Sequence, residues 1–332
     1  MALERSGAFA ARALWVKFKG LTGIPRAADK DFFCERIVRA MMQKDLHPET
    51  QFAGLERPKE GFGSQALSRF SIAATVQALG YTYRHLPMMH VAHAENNDDR
   101  WTEKLEAFFD LGAGEIAVHD SSLETIDFAT FAENRAYWRK PYLVYTRDFY
   151  SYTRAFPLAY TSYLEKRSYP LCPSISRTQL GDALKIAVHV RRGDVSKHLT
   201  RHRFLSNDNI VSTLSRLSGI LDRMALPYEI SIYTNGTAEE CQDLVVGNSK
   251  LVLGMGAIET FGKLIASDVL VTANSSFSFL AGLVQRAVVL YEPQIHRPLP
   301  NWIPIDADRK FSEQNFVSRI EAQQRTKIIN PD

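Results

Sequence analysis

The residues with the clearest chemical potential form one short stretch, His189-Val190-Arg191-Arg192-Gly193-Asp194, at the end of an apolar run over residues 186–190. A guanidinium is a planar fork of donors that matches the oxygens of a phosphate or carboxylate, so Arg191 is a candidate anion-binding group. Side chains along a strand alternate faces, which sends His189 and Arg191 one way and Arg192 the other. Arg192 is then free to hold a carboxylate or to buttress the loop. The competing readings are solvated surface charge and, for Arg192-Gly193-Asp194, a cell-adhesion tripeptide. The second needs an exposed loop tip, and this tripeptide follows directly on an apolar strand.

A second group is Ser275-Ser276-Phe277, a serine-rich turn after the apolar residues 268–272 and before a helix. Hydroxyls and backbone N–H groups at a helix N-terminus form an anion site, and the same serines can cap the helix. Upstream, Gly61-Phe62-Gly63-Ser64-Gln65 opens another helical segment. Asp98-Asp99 lies in a polar, Asn-rich loop rather than at a strand end, so no carboxylate pair is placed to hold Mg²⁺. The chain is expected to need neither metal nor cofactor.

These residues require strands ending at a common edge. Apolar runs separated by helical spacing give a βαβ rhythm: strands over 81–85, 115–118 and 141–145 in the first half, then 186–190, 229–233, 251–253, 269–272 and 288–291. Helices are expected over 65–79, 100–109 and 209–224. Trp101, Phe108 and Phe109 recur at helical spacing and are expected in the core. Prolines at Pro170 and Pro173 break the rhythm, which places a hinge at 165–180 and domains at 1–170 and 171–332. The fold class is α/β, two Rossmann-like domains, and in parallel sheets ligands bind beyond the carboxyl ends of the strands.

Composition sets limits on function. The chain has 332 residues, 45% hydrophobic, with Lys+Arg 40 against Asp+Glu 37, and a net charge of +3 is too mild to argue for nucleic-acid binding. Cys34, Cys172 and Cys241 are odd in number and lack metal-ligand spacing, which favours a reducing, cytoplasmic setting over a disulfide framework. No apolar run is long enough to span a bilayer, and the N-terminus lacks the order of a signal peptide. Residues 9–19 mix aromatic and basic side chains, either as an N-terminal helix packed on its own domain or as a peripheral membrane contact.

The stretch His189 to Asp194 resembles the signature of the fucosyltransferase superfamily, which includes α1,2-, α1,6- and protein O-fucosyltransferases. Gly61-Phe62-Gly63-Ser64-Gln65 is similar to that superfamily's glycine-rich loop, and residues 268–279 resemble its last motif. The three occur in the family's order over residues 61–279. The resemblance implies a GT-B arrangement, two Rossmann-like domains facing a cleft, and inverting transfer from GDP-fucose to a glycan hydroxyl in polysaccharide biosynthesis. By resemblance, Arg191 binds the β-phosphate, His189 lies by the nucleotide, and Ser275, Ser276 and Phe277 contact the diphosphate. Gly63, Ser64 and Arg192 join the donor site. Glu259, with Thr260 beside it, matches the place where relatives read guanine, or else Glu259 is a helix N-terminal carboxylate. Position 64 is serine where many members have asparagine, and residues 195–202 hold no carboxylate to serve as base.

For the base, the candidates are Asp194, then His198 and His202, with His85 in the N-terminal half as the further choice. Asp194 is alternatively a structural partner of Arg192 or Arg201. The other functional classes that fit are the same fold using another GDP- or UDP-sugar, and a noncatalytic nucleotide- or glycan-binding protein.

Overall fold

The computed structural model describes residues 27–92, 98–146, 149, 183–196, 203–285, 287–294 and 296–329. Cys172, His198, Arg201, His202, the segment 9–19 and the expected hinge lie outside the described residues. The chain divides into two compact units, and the division is not a single cut. Unit one takes the described residues up to Glu60 with Gln65–Val91 and those of Asp110–Tyr163, and unit two takes Gly61–Ser64, Ala92–Phe109 and the described residues from Leu164 onward.

Unit one begins with helix α1 (Ala27–Met42) and strand β1 (Gln51–Gly54). Helix α2 (Phe62–Ala78) follows, and the division between units falls inside its first turn. Strand β2 (Thr82–His85) comes next, then α3 (Trp101–Phe109) in unit two, then β3 (Ile116–Ala117), β4 (Thr125–Asp127), α4 (Phe128–Glu133) and β5 (Leu143–Thr146). The five strands form one parallel sheet in the order β3-β2-β1-β5-β4. Its central strands are buried: Phe52 and Val144 are fully enclosed, as runs flanked by helices on a parallel sheet must be.

Unit two is built on β6 (Leu184–Val190), α5 (Asn207–Arg223), β7 (Tyr228–Thr234), β8 (Ser249–Leu253), α6 (Ala257–Ile265), β9 (Val269–Val271), α7 (Ser276–Val284), β10 (Val288–Tyr291), β11 (Ile303–Pro304) and α8 (Glu313–Ile329). All six strands are parallel, in the order β8-β7-β6-β9-β10-β11. Counted from β6 this is 3-2-1-4-5-6, the doubly wound order, in which the direction of winding reverses between the first and fourth strands. Here those strands are β6 and β9, and a ligand is expected beyond their carboxyl ends. The core joins Ile186, Val188 and Val190 of β6 to Leu214, Leu217 and Leu221 of α5, whose apolar residues repeat at helical spacing.

The α/β class with two parallel sheets is as the sequence indicates. Trp101 and Phe109 are buried as expected, and Phe109 packs on Phe62 at 4.3 Å and on Phe261 at 4.6 Å between ring centroids. Strand β4, strand β11 and helix α8 are additions that the hydrophobic pattern did not signal.

Candidate active site

Strand β6 ends at Val190, and Arg191 follows at the point where the sheet reverses its winding. Its Nη1 donates to Ser275 Oγ at 3.0 Å, bridging the ends of β6 and β9. Its Nε and Nη2 donate to the two oxygens of Asp194, at 3.1 and 2.6 Å. The expected alternative of Arg201 lies outside the described residues, and among those described Asp194 pairs with Arg191, which corrects the other expected alternative, Arg192. Two features of the chain cause this. Gly193 has φ +72°, a left-handed turn that brings Asp194 back over Arg191, and a Cβ there would stand 2.6 Å from Asn235 Nδ2. Arg192 points the other way, as strand alternation requires. It is buried, donates to Leu205 O at 3.0 Å and Asn207 Oδ1 at 2.6 Å, and covers the Phe204 ring. Of its two expected roles, buttressing the loop is the one it fills. Asn235 completes the support by accepting the Arg192 N–H at 3.0 Å. Sequence reasoning passed over Asn235, although Asn235-Gly236 directly after β7 is a turn signal.

Ser275 caps α7, its Oγ accepting the Phe277 N–H at 3.3 Å while also accepting from Arg191. A hydroxyl has two lone pairs and one proton, so with both lone pairs engaged the proton is directed to a further acceptor. The backbone donors are fewer than the motif suggests. Ser275 N–H is spent on Ala273 O at 2.8 Å and Phe277 N–H on the cap, leaving that of Ser276. Ser276 Oγ meets His296 Nε2 at 2.8 Å, a buried histidine that the sequence did not single out. The first turn of α7 carries no acidic residue, so its positive dipole end is not neutralised from within the helix.

Gly63 brings the glycine-rich loop to the same place. A Cβ on Gly63 would stand 2.7 Å from both Cα and N of Phe277 and 2.9 Å from Ser276 C, so only glycine lets the start of α2 lie on the start of α7. Ser64 adjoins this contact, its N–H donating to Gly61 O at 3.1 Å. The three motifs, more than 200 residues apart at their extremes, thus meet at one end of one sheet.

His189 lies one strand period before Arg191, its ring 5.4 Å from that of Phe277. The residue is half-buried, but its Nδ1 edge is wholly enclosed and has no hydrogen-bond partner among the described residues. Burial, reinforced by the Arg191 charge, pushes its pKa down from 6.5 to about 3, so the imidazole is neutral at physiological pH. Below it, Glu292 and Arg309 form a buried bidentate pair at 3.1 and 2.7 Å.

Glu259 is exposed in the first turn of α6. Burial raises the pKa of Tyr233 near the end of β7, and the Glu259 carboxylate adds to that rise, which puts the two within electrostatic reach. Thr260 is buried with its hydroxyl on Met255 O at 3.3 Å, and Phe261 carries α6 against Phe277 at 5.3 Å. His85 belongs to unit one, buried at the end of β2 with Nδ1 3.3 Å from the Tyr83 hydroxyl. Its ring fills the space above Gly112, where a Cβ would stand 2.3 Å from Cδ2. Asp98 is engaged by the Lys104 ammonium and the Arg100 N–H, contacts that lower its pKa. No helix among the described residues is long and apolar enough to cross a membrane.

No family model and no curated relative matches the chain. Among solved structures it is similar to the E. coli heptosyltransferase WaaC with ADP, at 10% identity and a TM-score of 0.40 over 85% of this chain and 100% of that one. It is similar to a glycosyl transferase family 9 protein from Veillonella parvula at 10% identity and TM-score 0.37, over 85% of this chain and 98% of that one. POFUT1 in complex with GDP matches at 11% identity and TM-score 0.35, over 73% of this chain and 97% of that one. At such identities and scores the likeness gives no residue-by-residue correspondence.

Proposed function

We propose that the chain is an inverting glycosyltransferase that moves fucose from GDP-fucose to a glycan hydroxyl, without a metal ion, in the cytoplasm. The observation that carries this reading is the convergence of Gly63, Arg191 and Ser275 at the winding reversal of the six-stranded sheet. A leaving diphosphate needs compensation of its charge, and the guanidinium of Arg191, the Ser275 hydroxyl and the Ser276 N–H supply it from fixed positions. Neutral His189 stacks beside the nucleotide without adding charge.

In the transfer step the acceptor oxygen attacks the anomeric carbon, the bond from that carbon to the β-phosphate oxygen breaks, and GDP departs with the bonding pair. The acceptor proton goes to the Asp194 carboxylate, which the arriving diphosphate displaces from Arg191. Glu259 reads the guanine edge from α6, and His85 is the alternative base.

The test is a panel of GDP-, UDP- and ADP-sugars assayed for hydrolysis and for transfer, with and without EDTA. Turnover of GDP-fucose that is unchanged by EDTA is expected. Turnover confined to another nucleotide sugar would overturn the donor, collapse on chelation would overturn the metal-free step, and nucleotide binding without turnover would favour the noncatalytic reading.

A further inference from the structure

Unit one holds a cleft of about 290 Å³ between α1 and the helical turn Arg135–Arg139, remote in sequence from the donor motifs. One stripe of α1 faces it, with Phe32, Arg36 and Arg39 at spacings of three and four residues, Glu35 beside them and Gln43 just past the helix end. Its other wall is Trp138, buried and fixed by an Nε1–H bond to Phe131 O at 2.8 Å. Arg36 from the helix and Arg135 from the turn both lie over the Trp138 ring, 5.4 and 5.2 Å from its centroid.

Neither arginine has a carboxylate partner among the described residues. The rim arginine differs, since Arg39 is answered by Glu35 at 2.8 Å. Asp45 also lines the cleft but pairs with neither Arg36 nor Arg135. Two guanidinium groups sharing one aromatic ring repel each other, and the ring quadrupole offsets only part of that cost. A bound anion relieves the rest, and a planar fork on each side of the cleft suits the several oxygens of a phosphate. At one end of the stripe Phe32 is 59% exposed, an apolar side chain standing beside the charge.

We propose that this cleft is a phosphate-binding site, with Arg36 and Arg135 as its two ligating groups over the Trp138 floor. The phosphate is either free or the headgroup of an anionic lipid, and Phe32 favours the headgroup, because an exposed apolar side chain beside arginines suits a membrane surface. The site lies wholly within unit one and stands whether or not the chain is a glycosyltransferase.

The experiment uses the full chain carrying Arg191→Ala, so that phosphate binding at the donor motifs does not register. Pyrophosphate titration by calorimetry and co-sedimentation with phosphatidylglycerol vesicles, against phosphatidylcholine vesicles, are the two arms. Arg36→Gln and Arg135→Gln are each expected to weaken binding about tenfold or more, the scale of one lost charge-assisted contact. Arg139→Gln, exposed on the same turn and outside the cleft, is expected to change nothing. Melting temperatures check that each variant is folded. Pyrophosphate binding that these two substitutions abolish supports a site for free phosphate, and vesicle binding alone, with the same sensitivity, supports the headgroup. No binding in either arm, or binding indifferent to both substitutions, overturns the proposal.

Discussion

Arg191 gives its fork to Asp194 and its third nitrogen to Ser275, so a diphosphate reaching the start of α7 must compete with a carboxylate for the same donors. Asp194→Asn is accordingly expected to tighten GDP binding severalfold in calorimetry while transfer is lost. Weaker GDP binding would mean that the carboxylate orients the guanidinium instead. Arg191→Lys is expected to lower kcat/KM on the order of a hundredfold, because a point charge cannot serve two oxygens and Ser275 together. Activity within a fewfold of wild type would remove the bidentate argument. His189 makes a prediction about stability. Its pKa is near 6.5 unfolded and about 3 folded, so between those values the unfolded chain binds the extra proton. Stability is therefore fully present above the unfolded value and falls as pH drops through this window, with a slope of up to about 1.4 kcal/mol per pH unit. Urea titrations of wild type and His189→Gln at several pH values across it are expected to show a steeper slope in the wild type, the difference being the histidine's share.

At the level of elements, the start of α2 is held on the start of α7 by one missing side chain. Gly63→Ala puts a Cβ 2.7 Å from the Phe277 backbone, whereas Gly61 has nothing within 4 Å. The first substitution is expected to cost about 1–3 kcal/mol in chemical denaturation and to reduce GDP binding, and Gly61→Ala to do neither. If both variants behave alike, the close approach is not what the glycine serves. The long elements were legible in sequence because their patterns are unambiguous: β6 is a largely buried apolar run, β7 alternates before its buried end, and α5 repeats its apolar residues at helical spacing. Strand β4 has three residues with an exposed threonine at one end, and β11 has two, ending in Pro304, so neither offers a period to detect. Among the described side chains of α8, Phe316 and Ile320 are fully buried, too few to mark a face against its many polar residues. Within the site, Gly63 was named through the family resemblance, and Arg191 and Ser275 were readable as chemistry. The partner of Asp194 was not, because it is decided by the left-handed turn at Gly193 and by the contacts that draw Arg192 away to Leu205 and Asn207.

For the whole molecule, ligand linkage gives a direct readout of donor class. GDP is expected to raise the melting temperature more than UDP or ADP at equal concentration, and Glu259→Gln to shrink that preference. Equal shifts from all three nucleotides would count against a guanine-reading site. The division of the chain also bears on how it is made. Unit two recruits Gly61–Ser64 and Ala92–Phe109 from the middle of unit one. Phe109 is already synthesised when its ring partner Phe261 is still about 150 residues from being added. At typical elongation rates that interval is on the order of ten seconds. Through it the growing polypeptide carries Phe108 and Phe109 without the Phe261 ring that both meet in the folded protein. Those two segments of the earlier chain thus wait for the unit they complete, and a chaperone that shields aromatic side chains has its opportunity on this chain before Phe261 has emerged.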